Sequence, residues 1–241
     1  NEFLYKSYWF ATGTPSFLIK LINNNNYFLP KLSNIAVNDK LLDSFDIDNL
    51  DLEIILYQAG YLTIDKMEIN EDEDIIYHLR LPNKEVRSSL SQFIITSLYK
   101  DKTFIRTDIS KALRSSNLQD LETSLKVVFA SLPYTNFTNN NIEIYEGFYA
   151  SVIYTYLQSS GIKIIGEDVT NQGRMDLSVF IEDKIYIIEF KMNTNKKNAL
   201  KQIKEKKYSD KYINREKDIY LVGIEFDRND RNIVKFEWEK L

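Results

Sequence analysis

The sequence predicts an α/β protein in two parts: a mainly helical N-terminal domain (residues 1–140) and a C-terminal domain with a mixed β-sheet flanked by helices (residues 141–241). Apolar residues recur at helical spacing through most of the first half, whereas strand-like apolar runs prevail in the second. The polar, turn-rich stretch 133–141 separates the two patterns and marks the predicted boundary.

The first half is predicted to consist of helices around one β-hairpin, whose strands flank the acidic turn 70–73. Helices are predicted over 14–22, 48–58, 82–98 and 108–132 (the last broken near 115–117), and strands over 61–69 and 74–81. This order resembles a small winged-helix-like module. Because the hairpin turn is acidic, we expect the module to be a structural lid or a protein-partner surface rather than a phosphate contact.

The second half is predicted to be a helix, three strands, a second helix and two further strands. The strand–helix–strand passage over 185–226 predicts a right-handed crossover between parallel strands, which makes the sheet mixed. The predicted helices are 144–160 and 198–212, and the predicted strands are 163–169, 175–181, 185–192, 218–226 and 232–238.

Two charged residues end a strongly apolar strand. Glu189 and Lys191 follow the apolar run 185–188, and side chains two residues apart in a strand share a face. Charges at the end of a buried strand are costly unless they pair with each other or bind a ligand. A simple ion pair and a functional site are both consistent with this pattern.

Asp176, on the preceding strand, distinguishes these interpretations through the register of the hairpin. A two-residue turn at 183–184 would set Asp176 opposite Lys191, on the face of the predicted site. A three-residue loop at 182–184 would set it opposite Phe190 and turn it away. A site that contains Asp176 requires the first register, or a β-bulge that restores it.

A third carboxylate, Glu146, lies on the helix before these strands. The residues three, four, seven and eleven positions after it are apolar or aromatic, so Glu146 lies on an apolar stripe where an acid is costly without a partner. Because this helix is apolar almost all round, exposure of Glu146 to solvent is the alternative.

Three acids and a lysine suit the hydrolysis of a phosphodiester. Carboxylates hold divalent ions that polarise the phosphate and lower the pKa of a bound water, and a lysine orients that water or offsets charge in the transition state. The chain has no cysteine and one histidine, so its metal ligands must be oxygens, which favours Mg²⁺ or Mn²⁺ as the cofactor.

The charge of the chain is unevenly distributed. Its net charge is −4, but residues 191–217 contain ten basic and three acidic residues, a local charge of +7 that would attract phosphate. A solvated lysine-rich helix is the alternative. No apolar stretch reaches the length of about 18 residues of a membrane span, and no signal peptide is visible, so a cytoplasmic location without a membrane partner is expected.

Asp176 and the triplet Glu189-Phe190-Lys191, in this order of elements, resemble the PD-(D/E)XK nuclease superfamily, with Met175 where the motif has proline. More specifically, residues 142–226 resemble the nuclease domain appended to AAA-ATPase-like proteins. The segments that carry this resemblance are Tyr145-Glu146-Gly147-Phe148-Tyr149, Gly173-Arg174-Met175-Asp176-Leu177, Ile188-Glu189-Phe190-Lys191, Ala199-Leu200-Lys201-Gln202-Ile203 and Lys206-Lys207-Tyr208.

This resemblance implies a restriction-endonuclease-like fold and a role for each motif residue. Asp176 and Glu189 would bind the metal, Glu146 would be an accessory acid beside them, and Lys191 would be the catalytic lysine. Gln202 would be an auxiliary polar group near the site.

The first half resembles the end of the ATPase region of the same proteins. The resemblance rests on 8–18, Gly60-Tyr61-Leu62-Thr63 and 81–86. The chain has no G-x-x-x-x-G-K-[ST] phosphate loop, so we expect it neither to bind nor to hydrolyse ATP.

Two functional hypotheses follow. The first is a Mg²⁺-dependent nuclease that acts on DNA. The second is a catalytically silent module that binds nucleic acid or protein, with the acidic N-terminal domain as a surface for a protein partner. The residues predicted to contact nucleic acid are Arg174, Lys196, Lys197, Lys201, Lys204 and Tyr208.

Overall fold

A computed structural model describes residues 29–39, 51–98, 106–132, 146–193 and 198–241. Short 3₁₀ turns lie at Leu29–Ser33, Tyr208–Lys211 and Ile213–Arg215. The helices are α1 (Leu52–Gln58), α2 (Lys84–Leu98), α3 (Arg106–Ser115), α4 (Leu118–Ala130), α5 (Glu146–Ser159) and α6 (Ala199–Glu205). The strands are β1 (Ile35–Asn38), β2 (Thr63–Ile69), β3 (Ile75–Arg80), β4 (Lys163–Thr170), β5 (Gly173–Ile181), β6 (Lys184–Met192), β7 (Asp218–Asp227) and β8 (Asn232–Lys240).

The larger sheet has five strands in the order β4-β5-β6-β7-β8. Strands β6 and β7 are parallel and are connected through α6, and the other neighbours are antiparallel. Parallel neighbours can be joined only by a crossover, and α6 lies in this connection, as the strand–helix–strand pattern predicts. The predicted mixed sheet flanked by helices is confirmed, and it is consistent with a restriction-endonuclease-like fold.

Helices cover both faces of this sheet. On one face, α5 packs on the strands with Tyr149 stacked on Phe226 at a ring-centroid distance of 4.2 Å, and α4 adds Phe129 to the same cluster. On the other face, α6 and the turns after it bury Tyr208 and Tyr212. Because α5 is also covered by α2, it is buried almost all round, which explains its lack of a single apolar stripe.

The N-terminal part packs directly on the larger sheet. Its three-stranded sheet has the order β1-β3-β2, and its side chains share one continuous hydrophobic core with α5 and the larger sheet. Buried hydrogen bonds cross this contact, because Ser91 donates to Gln158 Oε1 at 2.7 Å and the Leu29 amide donates to Ser151 Oγ at 3.0 Å. The comparison with a winged-helix module and the division into two domains stay predictions.

Several predicted elements fall outside the described residues. The helix over 14–22 and the boundary stretch 133–141 are among them. Within the described ranges, the break near 115–117 is confirmed, since Asn117 caps α4 by accepting from the Asp120 amide. No helix in these ranges combines the length and the hydrophobicity that crossing a bilayer requires.

The helix predicted over 198–212 is wrong beyond Glu205. The α-helical run ends there, Lys207 takes a left-handed conformation with φ of 48°, and two 3₁₀ turns follow. Tyr208 and Tyr212 are both buried against the sheet. A left-handed residue with a Cβ is unfavourable by itself, and burial of two large rings compensates for it.

Candidate active site

The hairpin between β5 and β6 takes neither of the two registers predicted from the sequence. Its turn is the two-residue segment Glu182-Asp183, and Leu177 pairs with Ile188. This register differs by two residues from the one that set Asp176 opposite Lys191. A shift of two keeps every side chain on its face, so Asp176 lies on the predicted face, next to Glu189.

Asp176 lies where β5 and β6 separate. The paired part of these strands ends at Leu177 and Ile188, and β6 continues to Met192 beside β7 alone. Beyond the last pair, Asp176 Oδ2 accepts a hydrogen bond from the Phe190 amide at 2.8 Å. Because β5 and β6 no longer pair at this point, the Phe190 amide has no strand partner, and the Asp176 carboxylate accepts its hydrogen bond instead. We call the place where β5 and β6 diverge beyond Leu177 and Ile188 the fork.

Glu189 and Lys191 project from β6 into the same fork. The Glu189 side chain is 2% exposed and the Lys191 side chain 16% exposed, and Lys191 Nζ contacts Glu189 Oε1 at 3.0 Å. Lys191 Nζ also donates to the Phe190 carbonyl at 2.8 Å. Among the described residues, Glu189 Oε2 is buried without a hydrogen-bond donor. An orphan carboxylate oxygen at this depth is costly.

Glu146 reaches this fork from the first turn of α5. Its Oε1 lies 3.4 Å from Lys191 Nζ, and its Oε2 accepts from the Met192 amide at 3.3 Å. The side chain is 37% exposed, so it forms the outer rim of the site. The structure brings Glu146 to Asp176, Glu189 and Lys191, as predicted, although its predicted role is not tested by this contact.

Gln202 approaches the fork from α6. Its Nε2 donates to Glu189 Oε1, and it is hydrogen-bonded to the hydroxyl of Tyr208. The Tyr208 hydroxyl in turn donates to the Arg174 carbonyl at 2.8 Å. A chain of hydrogen bonds thus fixes the Gln202 amide with its nitrogen towards Glu189. The sequence does not predict this role of the Tyr208 hydroxyl, because the position of Tyr208 after the end of α6 depends on the left-handed conformation of Lys207.

Burial and mutual repulsion perturb the acids of this site. Burial, reinforced by the charge of Glu189, raises the pKa of the Asp176 carboxyl to about 8. Burial also raises the pKa of Glu189, against the opposing charge of Lys191. Burial alone would lower the pKa of the Lys191 ammonium, but the surrounding carboxylates outweigh it and raise that pKa. Positive charge at the fork, from a proton or from the Lys191 ammonium, relieves the repulsion between these carboxylates.

Comparison with known families adds to this geometry. Residues 144–236 match the PD-(D/E)XK nuclease superfamily. This match confirms the superfamily predicted for the C-terminal part of the chain. The matched range contains the fork and all of its side chains, so we call it the nuclease-superfamily domain.

One relative extends over both halves of the chain. An uncharacterized protein in the vnfD 5′ region of Azotobacter chroococcum mcd 1 is 36% identical over 242 residues. The alignment covers 98% of this chain and 47% of that protein, so the chain spans about half the length of this relative. No solved structure matches the chain. The resemblance of the first half to an ATPase region stays a prediction.

The fork of the nuclease-superfamily domain fits a divalent cation through two carboxylates. Asp176 and Glu189 supply adjacent oxygens, and Glu189 Oε2 is a buried oxygen without a hydrogen-bond donor. In the described ranges, no set of three or more acidic or histidine side chains is arranged to hold a metal. Glu146 contacts Lys191, and its role as a third metal ligand stays a prediction. One or two carboxylates completed by water and phosphate are a usual Mg²⁺ environment.

The residues predicted to contact nucleic acid differ in their surroundings in the structure. Lys196 and Lys197 lie outside the described residues. Lys201, Lys204 and Arg174 are exposed, but each contacts an acid: Glu205, Glu239 and Glu167 respectively. Tyr208 is 2% exposed, so the structure argues against stacking of its ring on a base. Its burial follows from packing beneath α6.

Proposed function

We propose that the nuclease-superfamily domain is a metal-dependent nuclease that hydrolyses phosphodiester bonds in DNA. The observation that carries this proposal is the pair of carboxylates at the strand fork, Asp176 and Glu189, with the Lys191 ammonium beside them. Mutually repelling acids, one buried and one partly buried, are destabilising in a purely structural role, so their presence favours a site that binds a cation.

In this proposal, each residue of the fork has a distinct task. Asp176 and Glu189 would hold the ion; when bound, a divalent cation supplies the charge that polarises a phosphodiester and acidifies a water. Lys191 would place its ammonium beside the phosphate oxygens, where negative charge develops during hydrolysis. Gln202 would keep the Glu189 carboxylate in one orientation. Glu146, half-exposed at the rim, would hold Lys191 in position.

The substrate would approach from the side of α6. Lys206 and Lys207 are exposed immediately after this helix, and Lys201 and Lys204 are exposed along it. Cations on one surface next to the fork would contact phosphates without reading sequence. We therefore propose that Lys201 and Lys204 exchange their acidic neighbours for phosphates. Binding would then weaken as salt concentration rises.

The test is cleavage of plasmid and single-stranded DNA with Mg²⁺, Mn²⁺ or EDTA. Asp176→Asn and Lys191→Ala should abolish metal-dependent cleavage. Asp183→Asn, a matched control at the exposed hairpin turn, should cleave as the wild type does. Equal cleavage by the wild type and Asp176→Asn would show that the activity does not arise at this fork.

A second candidate function is a silent nuclease-fold module that binds nucleic acid or protein. The observation that favours it is the Lys191 ammonium, which already contacts Glu189 and Glu146 and neutralises part of their charge. Calorimetry with Mn²⁺ separates the candidates. Absence of metal binding, together with absence of cleavage of DNA and RNA, would support the silent module.

A further inference from the structure

We propose that Gly223 is a positioning residue of the fork, which acts by letting α6 lie close enough to the sheet for Gln202 to reach Glu189. This inference rests on the proposed nuclease function for its effect on catalysis, but its geometric content does not. In this role Gly223 acts on the fork through the position of α6.

Gly223 lies directly beside Glu189 in the parallel pair of β6 and β7. A Cβ atom added at this position would be 2.3 Å from the Leu200 amide nitrogen and 2.9 Å from its Cα. Both atoms belong to the backbone of α6, so a side chain could not be accommodated by a rotamer change. The first turn of α6 thus rests on the sheet where Gly223 leaves room for it.

The start of α6 is also fixed by polar contacts to β7 and β8. Asn198 caps the helix by accepting from the Lys201 amide at 2.7 Å, and its Nδ2 donates to Glu237. Glu225, buried on β7 two residues after Gly223, accepts from the Ala199 amide at 3.4 Å. These contacts resist a movement of α6 along the sheet or away from it. The distance between α6 and the sheet, which we call the height of the helix, is therefore set by the close approach at Gly223.

The height of α6 determines whether Gln202 contacts Glu189. Gln202 follows Leu200 by two residues on the same short helix, and its amide donates to the oxygen that Lys191 also contacts. Ordinary contact with a Cβ atom requires at least 3.4 Å instead of 2.3 Å. Alanine would therefore lift the helix by about 1 Å, and a misplacement of about 1 Å in an active site can lower the rate about 100-fold.

The direct test measures the Gln202 side-chain amide by NMR in metal-free protein. The chain has six glutamines, so ¹⁵N-glutamine labelling gives few signals. The two side-chain amide proton signals of Gln202 are identified as those that disappear in Gln202→Ala. In the wild type, this amide should be shifted and protected from exchange by Glu189. In Gly223→Ala, it should move to solvent-like shifts and exchange freely. An unchanged Gln202 signal in a folded Gly223→Ala protein would overturn the inference.

The second measurement is a double-mutant cycle on cleavage. Gln202→Ala and Gly223→Ala should each lower kcat by about 10- to 100-fold, the range typical of groups that orient a metal ligand, with little change in KM. Since both act on the same contact, the double variant should lose no more than Gln202→Ala alone. Multiplicative losses would contradict the inference. Should the wild type cleave nothing, the nuclease proposal fails, and the NMR result still decides the geometry.

Gly166→Ala is the matched control for the close contact. A Cβ atom there would lie 2.3 Å from the Pro30 carbonyl oxygen, on the other face of the sheet. Both glycine variants should unfold at lower temperature, and only Gly223→Ala should release the Gln202 amide. Release of the amide in both variants would indicate general loosening of the domain and would refute a specific role for Gly223.

A milder pair of variants applies if Gly223→Ala does not fold. Asn198→Ala removes the cap that ties α6 to Glu237, and Asn117→Ala removes the equivalent cap of α4. Loss of either cap leaves a helix-terminal amide without its acceptor and destabilises the helix end. Only Asn198→Ala should shift the Gln202 amide. If it leaves that amide unchanged, the anchoring of α6 does not position Gln202 and the inference is wrong.

Discussion

Asp176→Asn is expected to stabilise the metal-free protein while it abolishes cleavage. Burial and the charge of Glu189 raise the pKa of the Asp176 carboxyl from its ordinary value of 3.8 to about 8 in the folded protein. Between these values the folded state holds a proton that the unfolded state has lost, so stability falls as pH rises through this range. Asparagine is uncharged, and its carbonyl can still accept the hydrogen bond from the Phe190 amide.

The size of the effect follows from the pKa difference. Each pH unit above the ordinary pKa costs the folded state about 1.4 kcal/mol, which amounts to an upper limit of about 4 kcal/mol at pH 7. Asp176 is only partly buried and shares its repulsion with Glu189, which lowers this limit. We therefore expect a gain of about 2 to 4 kcal/mol at pH 7, declining towards zero below pH 4.

Urea unfolding in EDTA at several pH values between 4 and 8 measures this gain. Asp183→Asn is the control, since this carboxylate is exposed and its pKa is lowered by the hydrogen bond from Lys184, so its loss should bring no gain. An Asp176→Asn protein that is less stable than the wild type at pH 7 would show that Asp176 carries no such penalty in the folded state. So would a gain that does not grow with pH.

Three further predictions concern the metal and the core. Mg²⁺ should raise the melting temperature of the wild type in calorimetry, and the rise should be larger at pH 8 than at pH 6 because protons compete for the carboxylates. The melting temperature of Asp176→Asn should not change with Mg²⁺. Tyr186→Phe removes a buried hydrogen bond of 2.6 Å to the Leu113 carbonyl and should cost about 1 kcal/mol in urea unfolding. Ser91→Ala leaves Gln158 Oε1 without its donor and should cost about 1 to 3 kcal/mol, whereas no measurable loss would mean that α2 and α5 are not held by this bond.

Much of the larger sheet could be predicted because its patterns are local. The apolar run before Glu189 requires a buried strand, and the helical spacing after Asn198 requires a crossover, so two parallel neighbours follow. The end of α6 could not be predicted in the same way. Its residues suit a longer helix, and only the burial of Tyr208 and Tyr212 against the sheet stops it.

In the candidate site, too, some features follow from local sequence patterns and others depend on how the strands pair. The spacing of Glu189 and Lys191 placed them on one face, and the position of Asp176 within its strand limited it to that face or the opposite one. The register of the hairpin decided on which face Asp176 lies. That register differs by two residues from the predicted one, which set Asp176 opposite Lys191. The turn at Glu182, with φ of 52°, selects this register, and the two-residue difference left the face unchanged.

The residue types of the site, the order of the elements around it and the superfamily of residues 144–236 follow from sequence patterns that are local in the chain. Only packing between elements brings Glu146 on α5 into contact with Lys191 on β6. Tertiary structure also decided that Tyr208 supports Gln202 through its hydroxyl and that Gly223 admits α6. Distances between elements depend on packing across the sheet, which local periodicity does not encode.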